Sequence, residues 1–412
     1  MASFDVVEIC AGAGGQALGL ENAGFEHALA VELDQNACKT LEQNRPEWKV
    51  APGDVASPST WRPADYEGVD LLAGGVPCPP FTIAGKQLGA ADERDLFAWA
   101  VELVQVVRPR ALLLENVRGL SMPRFAGYRQ HVLDRLGSLG YVASWNLIQA
   151  SDFGVPQLRP RFILVAMHPE DAPYFVWPKP SSIVTTVGEA LKDLMGAAGW
   201  EGTTDWAANA SSIGPTIVGG SKKHGGADLG PTRAKRAWAD LGVDALGVAD
   251  EPPQPGAQFT VGPKLTCDMV ARIQGWSEVY PWTFFGRKTT KYRQIGNAFP
   301  PPVAHAVGSA IIRAFRHDGK PAQALAAEYD PIYRILQDAT DWLTSSQLAR
   351  ESGVHEPNEL ERRIGLLSRD FDIEIEDRAA GPAYKLGSFK AFIGQADHSR
   401  HDRFRQYRSS IS

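Results

Sequence analysis

The chain is poor in cysteine, in long apolar runs and in net positive charge, and each shortage narrows what it can be. Four cysteines stand among 412 residues, at positions 10, 38, 78 and 267, far apart and without a CxxC pair. Neither a disulfide framework nor a zinc site is expected from that spacing. No apolar stretch is long enough to span a bilayer, and none near the start follows a basic flank. The reading is a cytoplasmic protein with no membrane partner. The formal net charge of -6 does not advertise a nucleic-acid binder, though it says little about any one face. What is present is ordinary for a globular protein: 44% hydrophobic and 22% charged residues, over a length sufficient for two or three domains.

Residues 4–170 alternate short apolar runs with helix-like segments. "DVVEICA", "HALAVEL", "VDLLAGG", "ALLLENV", "YVASWNLIQA" and "RFILVAMH" read as strands, and "GQALGLENAG" as a helix with a glycine stop. "DERDLFAWAVELVQVVRP" predicts one helix, with Leu96, Phe97, Ala100, Val101, Val104 and Val107 on one face and Pro109 after its end. "YRQHVLDRLGSLG" predicts another. Such alternation gives an open, mostly parallel sheet covered on both faces, with ligands at the carboxyl ends of the strands. "AGAGG", "GGVPCPPF" and "ENV" all fall at such ends.

The composition changes after 170. Residues 171–262 are rich in Gly, Pro, Ser and Trp with little periodicity, and "GGSKKHGGADLGPTRAKR" reads as almost wholly loop. Between 219 and 236, Lys222, Lys223, Arg233, Lys235 and Arg236 face a single acid, Asp228. That cluster is either a solvated loop or an arm that contacts phosphates. Regular character returns at 263 and runs to about 328. Beyond it the pattern of helix, turn with Gly353, helix and "FDIEIEDRAAGPAYKLGS" resembles a winged helix-turn-helix. Counted from 331 to the end, twelve Lys and Arg meet thirteen Asp and Glu. A near-neutral module is as suited to protein contact or regulation as to DNA.

In "EICAGAGG" a strand runs into glycines at 12, 14 and 15 ahead of a helix, which lets the backbone approach a ligand closely. Glu32 ends the next strand, 20 residues after Gly12, where a carboxylate can accept from ribose hydroxyls. Asp54 stands near the third strand end, placed to accept from an adenine amino group. The loop holds no Lys or Arg to grasp phosphates, so S-adenosylmethionine fits better than NAD or ATP. Cys78 lies between Pro77 and Pro79 in a glycine-rich stretch. It is either a packed thiol beside a turn or a nucleophile at the mouth of a cleft.

The motifs "AGAGG", "GGVPCPPF", "ENV", "GVPQLRPRF" and "YRQIGNAFPPPVA" occur here in an order that resembles the cytosine-C5 DNA methyltransferases, over roughly residues 4–168 and 263–315. The resemblance implies an α/β, Rossmann-like S-adenosylmethionine-dependent methyltransferase fold. With it comes a smaller target-recognition domain; the C-terminal winged-helix-like module is read separately, from its own pattern of helices and strands. The expected divisions of the chain are 1–170 and 263–328 for the catalytic part, 171–262 for target recognition and 329–412 for the module. The resemblance assigns Cys78 as the nucleophile that adds to C6 of a flipped cytosine, Glu115 as the carboxylate that holds N3, and Arg159 and Arg161 as supporting cations. It assigns the cofactor to Cys10, Ala11, Gly12, Gly14, Gly15, Glu32, Asp54, Pro77, Asn297 and Ala298. Gln157, Lys222, Lys223, His224, Arg233, Lys235 and Arg236 are the candidate contacts to double-stranded DNA. A monomer, in a bacterial restriction–modification or solitary methylase setting, is expected, and a companion restriction endonuclease is an open partner.

The chain also departs from the family pattern. Cys10 stands where the family usually has Phe against the adenine, Pro79 where Gln is frequent, and Asp268 and Met269 where an Arg-Glu pair is frequent. Two alternatives stand beside the main reading. One is an RNA cytosine-C5 methyltransferase; the other is a DNA-binding regulator that keeps the methyltransferase fold.

Overall fold

The computed structural model describes residues 3–76, 96–219, 227–277, 281–321, 330–378 and 381–389. Seven strands form its main sheet: β1 (Phe4–Ile9), β2 (Phe25–Glu32), β3 (Val50–Pro52), β4 (Leu71–Gly74), β5 (Ala111–Val117), β6 (Val142–Gln149) and β7 (Pro160–Met167). Their order is β3-β2-β1-β4-β5-β7-β6. The pairs β1–β2, β2–β3, β1–β4 and β4–β5 are parallel, whereas β7 is antiparallel to both neighbours. Strand order reverses at β1, and in an open sheet of this kind a crevice for ligands opens outside the carboxyl ends at that point. Val7, Ile9, Leu72, Leu112 and Leu114 fill one face of the sheet, and Val6, Leu71, Ala73 and Leu113 the other. That two-sided burial is why these strands read as unbroken apolar runs.

The helix Gly15–Ala23 starts from Gly14 in the left-handed region and ends at Gly24, φ 110°. It packs on the returning helix Pro301–Phe315, whose first turn begins with prolines that have no amide to leave unmet. The contact is backbone-close: a Cβ on Gly19 would lie 2.4 Å from the Pro301 carbonyl oxygen. The segment expected as one helix is divided at Leu103 into Leu96–Glu102 and Val104–Val107. Leu103 still donates to the Trp99 carbonyl at 3.1 Å, and the β-branched Val104, Val106 and Val107 crowd the following turn.

The stretch read as loop is more ordered than its composition suggests. Helices occupy Val187–Met195, Thr203–Asn209 and Thr232–Asp240. The last of these contains Arg233, Lys235 and Arg236, and it corrects the loop reading of that arm. Only Trp238 on it is buried, so one large anchor replaces the repeating apolar stripe by which a helix is recognised. Trp238 joins Trp206, Leu229, Val243, Leu265 and Met269 in a second core, which also takes in Ala13 and Leu18 beside the first turn.

At the C-terminal end, helices Pro331–Asp338, Ser345–Ser352 and Pro357–Asp370 accompany a small antiparallel sheet of β8 (Leu343–Thr344, between the first two helices), β9 (Phe371–Arg378) and β10 (Gly381–Phe389), in the order β8-β10-β9. Gly353, φ 71°, makes the turn between the second and third helices. This is the expected winged arrangement. Its apolar side is not separate from the rest of the protein: Leu360, Ile364, Leu367, Phe371 and Phe389 share one core with Tyr128, Val132 and Leu136 of the helix Ala126–Ser138. His131 on that helix stacks on Phe389 with ring centroids 4.0 Å apart.

Candidate active site

A cavity of about 690 Å³ opens at the carboxyl ends of β1, β2 and β4. The first turn builds its floor. Gly12 takes φ 57° and donates its amide to Glu32 Oε2 at 2.8 Å, while Asp34 donates to Glu32 Oε1 at 2.7 Å. Two backbone amides thus hold the Glu32 carboxylate at the end of β2; burial pushes its pKa up and these bonds oppose it. Gly15 is required for closeness, since a Cβ there would lie 2.3 Å from the Phe299 carbonyl oxygen. Of the expected cofactor residues, Cys10, Ala11, Gly12, Gly15, Glu32, Asp54, Asn297 and Ala298 line the cavity. Gly14 does not: it faces Trp282, whose ring a Cβ would meet at 2.4 Å. Pro77 lies outside the described residues.

Among the described residues the lining carries five carboxylates, Glu8, Glu32, Asp34, Asp54 and Glu115, against one arginine, Arg293. A wall of that sign repels phosphates and suits a cationic ligand. The donor set therefore fits S-adenosylmethionine, which carries a sulfonium and no phosphate.

Glu115 reaches the cavity from β5, where Val117 pairs with Arg161 across the antiparallel junction to β7. Arg161 Nε stands 2.5 Å from Glu115 Oε1, a close ion pair without the directionality of a hydrogen bond. Both side chains are nearly buried, and burial pushes the Glu115 carboxyl up while Arg161 and then Arg159 oppose it. The neighbouring Asn116 donates to the Val76 carbonyl at 3.3 Å, tying the end of β5 to the residue before position 77. A Cβ on Gly75 would lie 3.5 Å from Glu115 Oε2. Cys78 itself lies outside the described residues.

Arg159 and Gln157 do something other than expected. Arg159 is 2% exposed and donates to the carbonyls of Ile217 at 2.7 Å, Gly296 at 2.8 Å and Ala298 at 3.1 Å. It knots three chain segments together, and burial followed by the adjacent Arg161 pushes its pKa down. Gln157 has no exposed surface. Its amide nitrogen donates to Gln274 Oε1 at 2.6 Å and to the Ile273 carbonyl at 3.3 Å, and its oxygen accepts from Ile217 N at 2.7 Å. The expectation of a DNA contact at Gln157 is corrected: its hydrogen-bonding capacity is used inside the protein. Burial cannot be read from "VPQLRPR", because polar residues beside a strand are usually exposed.

In the basic arm, Arg233 and Arg236 are exposed, whereas Lys235 is held by Asp228 at 2.8 Å. Lys222, Lys223 and His224 lie outside the described residues. Cys38 is buried, with its thiol pushed up to about 12 by that burial. Sequence reasoning passed over Glu8, Gln16 and Arg293, which also line the cavity. Glu8 gave a signal: a carboxylate in the middle of an apolar strand is rarely buried without a partner. Among the described residues no helix is long and apolar enough to cross a membrane.

Known proteins agree with this geometry. A family model described as C-5 cytosine-specific DNA methylase matches residues 4–313. Type II methyltransferase M.NaeI of Lentzea aerocolonigenes is 65% identical over 414 residues, covering 100% of both chains. Type II methyltransferase M.NgoMIV of Neisseria gonorrhoeae is 49% identical over 319 residues, 76% of this chain and 99% of its own. Among solved structures, a variant of Spodoptera frugiperda DNMT2 shares the fold at 18% identity and a TM-score of 0.51, over 75% of this chain and 100% of its own. The strand order, the glycine-rich first turn and a family match over most of the sequence lead to one assignment: the chain belongs to the C-5 cytosine-specific DNA methylases and is a DNA (cytosine-5-)-methyltransferase.

Proposed function

We propose that the enzyme is the type II methyltransferase of a restriction–modification pair, acting in the cytoplasm on a cytosine flipped out of duplex DNA. The observation that carries this reading is the buried Glu115–Arg161 ion pair at the edge of an acid-lined cavity. Residues 1–170 and 263–328 form the catalytic part, 171–262 read the target, and 329–412 are the winged-helix module. Exposed Arg233 and Arg236 suit phosphate contacts. The cellular partner is an endonuclease that cuts the same unmethylated site.

S-adenosylmethionine supplies the methyl group, held at Glu32, Asp54 and the turn at Gly12. Within the chain, Cys78 as thiolate forms a bond from sulfur to C6 of the flipped cytosine, and the ring electrons move toward C5 and N3. A free thiol has a pKa near ~8.5, so the site must favour the thiolate or share the cost of forming it. Glu115, with its pKa raised by burial, gives or shares a proton at N3 and keeps the ring able to accept those electrons. Arg161 holds Glu115 and stabilises charge that develops on the base. After C5 has gained the methyl group, its proton leaves to a base, the electrons return, and the sulfur–C6 bond breaks to restore Cys78.

The test measures transfer of labelled methyl from S-adenosylmethionine to mixed-sequence duplex DNA, with total RNA in parallel and Cys78→Ser beside the wild type. Bisulfite sequencing locates the product. Methylcytosine in one short DNA motif, absent with the variant, is the expected result. Transfer to RNA alone, or none to either, would overturn it.

A further inference from the structure

We propose that Trp282 is the positioning residue through which the target-side core holds the cofactor turn; this rests on the S-adenosylmethionine and target-recognition readings above. Trp282 stands outside the cavity lining, behind the glycine-rich turn. Its indole Nε1–H donates to the Ala13 carbonyl at 2.9 Å, and its ring fills the space where Gly14, φ 89°, would carry a Cβ. Ala13 itself lines the cavity, as do Gly12 and Gly15. One side chain thus fixes two successive residues of the turn from behind. The ring packs with Ala11, Ala17, Leu41 and Trp48 under the turn, and also with the second core built around Trp206 and Trp238. Arg45, paired with Glu21 at 2.6 Å, lies 5.2 Å over the ring.

The chain around Trp282 has no regular secondary structure, yet it is pinned on both sides. Asn44, at the end of the helix Gln35–Asn44, accepts at Oδ1 from Thr283 N at 2.8 Å and donates from Nδ2 to the Thr283 carbonyl at 2.7 Å. Thr40 Oγ1 accepts from Phe285 N at 2.9 Å. Gln294 Nε2, from the helix Lys288–Asn297, donates to the Phe285 carbonyl at 2.8 Å, and Gln294 also lines the cavity. Two residues beyond Trp282, Phe284 is 6% exposed in the second core and stands edge-on to Trp276, with centroids 5.0 Å apart and planes at 85°. Residues 282–285 therefore touch the cofactor turn with one ring and the target-side core with the next. Coupling between two sites is carried by packed side chains and hydrogen-bond networks of this kind, and it is reciprocal. Cofactor in the cavity and a duplex against the target-side core bias the same short stretch, and each strengthens binding of the other.

Calorimetric titration of the full-length protein with S-adenosylhomocysteine tests this, alone and with a bound duplex that carries the motif located by bisulfite sequencing. The ratio of the two dissociation constants is the coupling. In the wild type the duplex is expected to tighten S-adenosylhomocysteine at least about fivefold. Trp282→Phe keeps a ring and loses the bond to the Ala13 carbonyl, whereas Trp282→Leu loses both. The leucine variant should bring the ratio to within about twofold of one, and the phenylalanine variant should lie between it and the wild type. Phe284→Leu loosens the far end and leaves the contact with Ala13 in place. It should keep the affinity for S-adenosylhomocysteine alone within about twofold and still lower the ratio. Melting curves identify any variant that fails to fold, and Phe284→Leu carries the test if the Trp282 variants do. A wild-type ratio near one overturns the inference, and so do folded variants that keep the wild-type ratio, whatever their affinity for S-adenosylhomocysteine alone. Failure of the wild type to bind S-adenosylhomocysteine removes the cofactor reading instead, and failure to bind the duplex removes the target-recognition reading.

Discussion

Two groups of carboxylates, one in the main sheet and one in the wing, are chemically alike and differ in where the fold points them. In the main sheet, Glu8, Glu32 and Glu115 turn toward one cavity and lie in or near the interior. On β9, Asp372, Glu374, Glu376 and Asp377 face solvent, with Ile375 62% exposed among them. The first group costs stability through desolvation and persists where ligands or partners compensate it. The second costs almost nothing. Since β9 is the outer strand of its sheet, its charges hinder pairing with another edge. Burial, more than residue type, separates acids that can do chemistry from acids that keep a strand soluble.

Glu115→Gln should break the comparison most visibly. The amide keeps the shape but cannot pair with Arg161 as a charge or pass a proton to N3. Methyl transfer should fall by roughly 100-fold or more, with a much smaller change in S-adenosylhomocysteine affinity. Glu374→Gln, the matched change on β9, should leave turnover where it was. A Glu115→Gln enzyme with near-normal turnover would remove the distinction between the two groups.

A smaller effect is expected where the wing meets the sheet's own helices. His131 lies among Phe371, Phe389 and Tyr333, with Arg135 a turn further on, and burial first and Arg135 second push it down to about 4. The unfolded chain takes up a proton near ~6.5, so between these values protonation favours unfolding. Stability from this site is present above about 6.5 and lost as pH falls toward about 4. The loss amounts to roughly 3 kcal/mol at most. The melting temperature should drop across that window in the wild type and drop less in His131→Phe. Parallel curves for the two proteins would show that His131 does not carry the effect.

Much of this was legible in the sequence, and the gaps have physical causes. The strands were legible because two-sided burial writes itself as apolar runs, and the first turn because glycines at positive φ have few substitutes. The wing was legible from its turn at Gly353 and the alternation in "FDIEIEDR". The helix Thr232–Asp240 was not, because Trp238 is its only buried residue. Nor were the roles of Arg159 and Gln157, which depend on backbone carbonyls and an amide more than fifty residues away in the chain. Long-range hydrogen bonds leave no local pattern. Glu8 was visible as an anomaly, but its partner His27 comes into view only when β1 and β2 are assembled.

The smallest effect is expected from reversing the outward acids, and it bears on what the wing does. Between 330 and 389, twelve carboxylates stand against seven lysines and arginines, and β9 carries four of the twelve on its exposed surface. A winged helix that gripped DNA through this hairpin would bring those four against phosphates, which neutralisation by Lys or Arg would have to relieve. Glu374→Lys with Glu376→Lys should therefore change stability by no more than about 0.5 kcal/mol. If the hairpin stands away from DNA during methylation, the salt dependence of DNA binding stays as in the wild type. If it lies along the duplex, each new lysine that meets a phosphate steepens the slope of log affinity against log salt by about 0.9. An unchanged slope leaves the two acidic groups as distinct as their burial makes them, whereas a steeper one would bring the wing into the substrate interface.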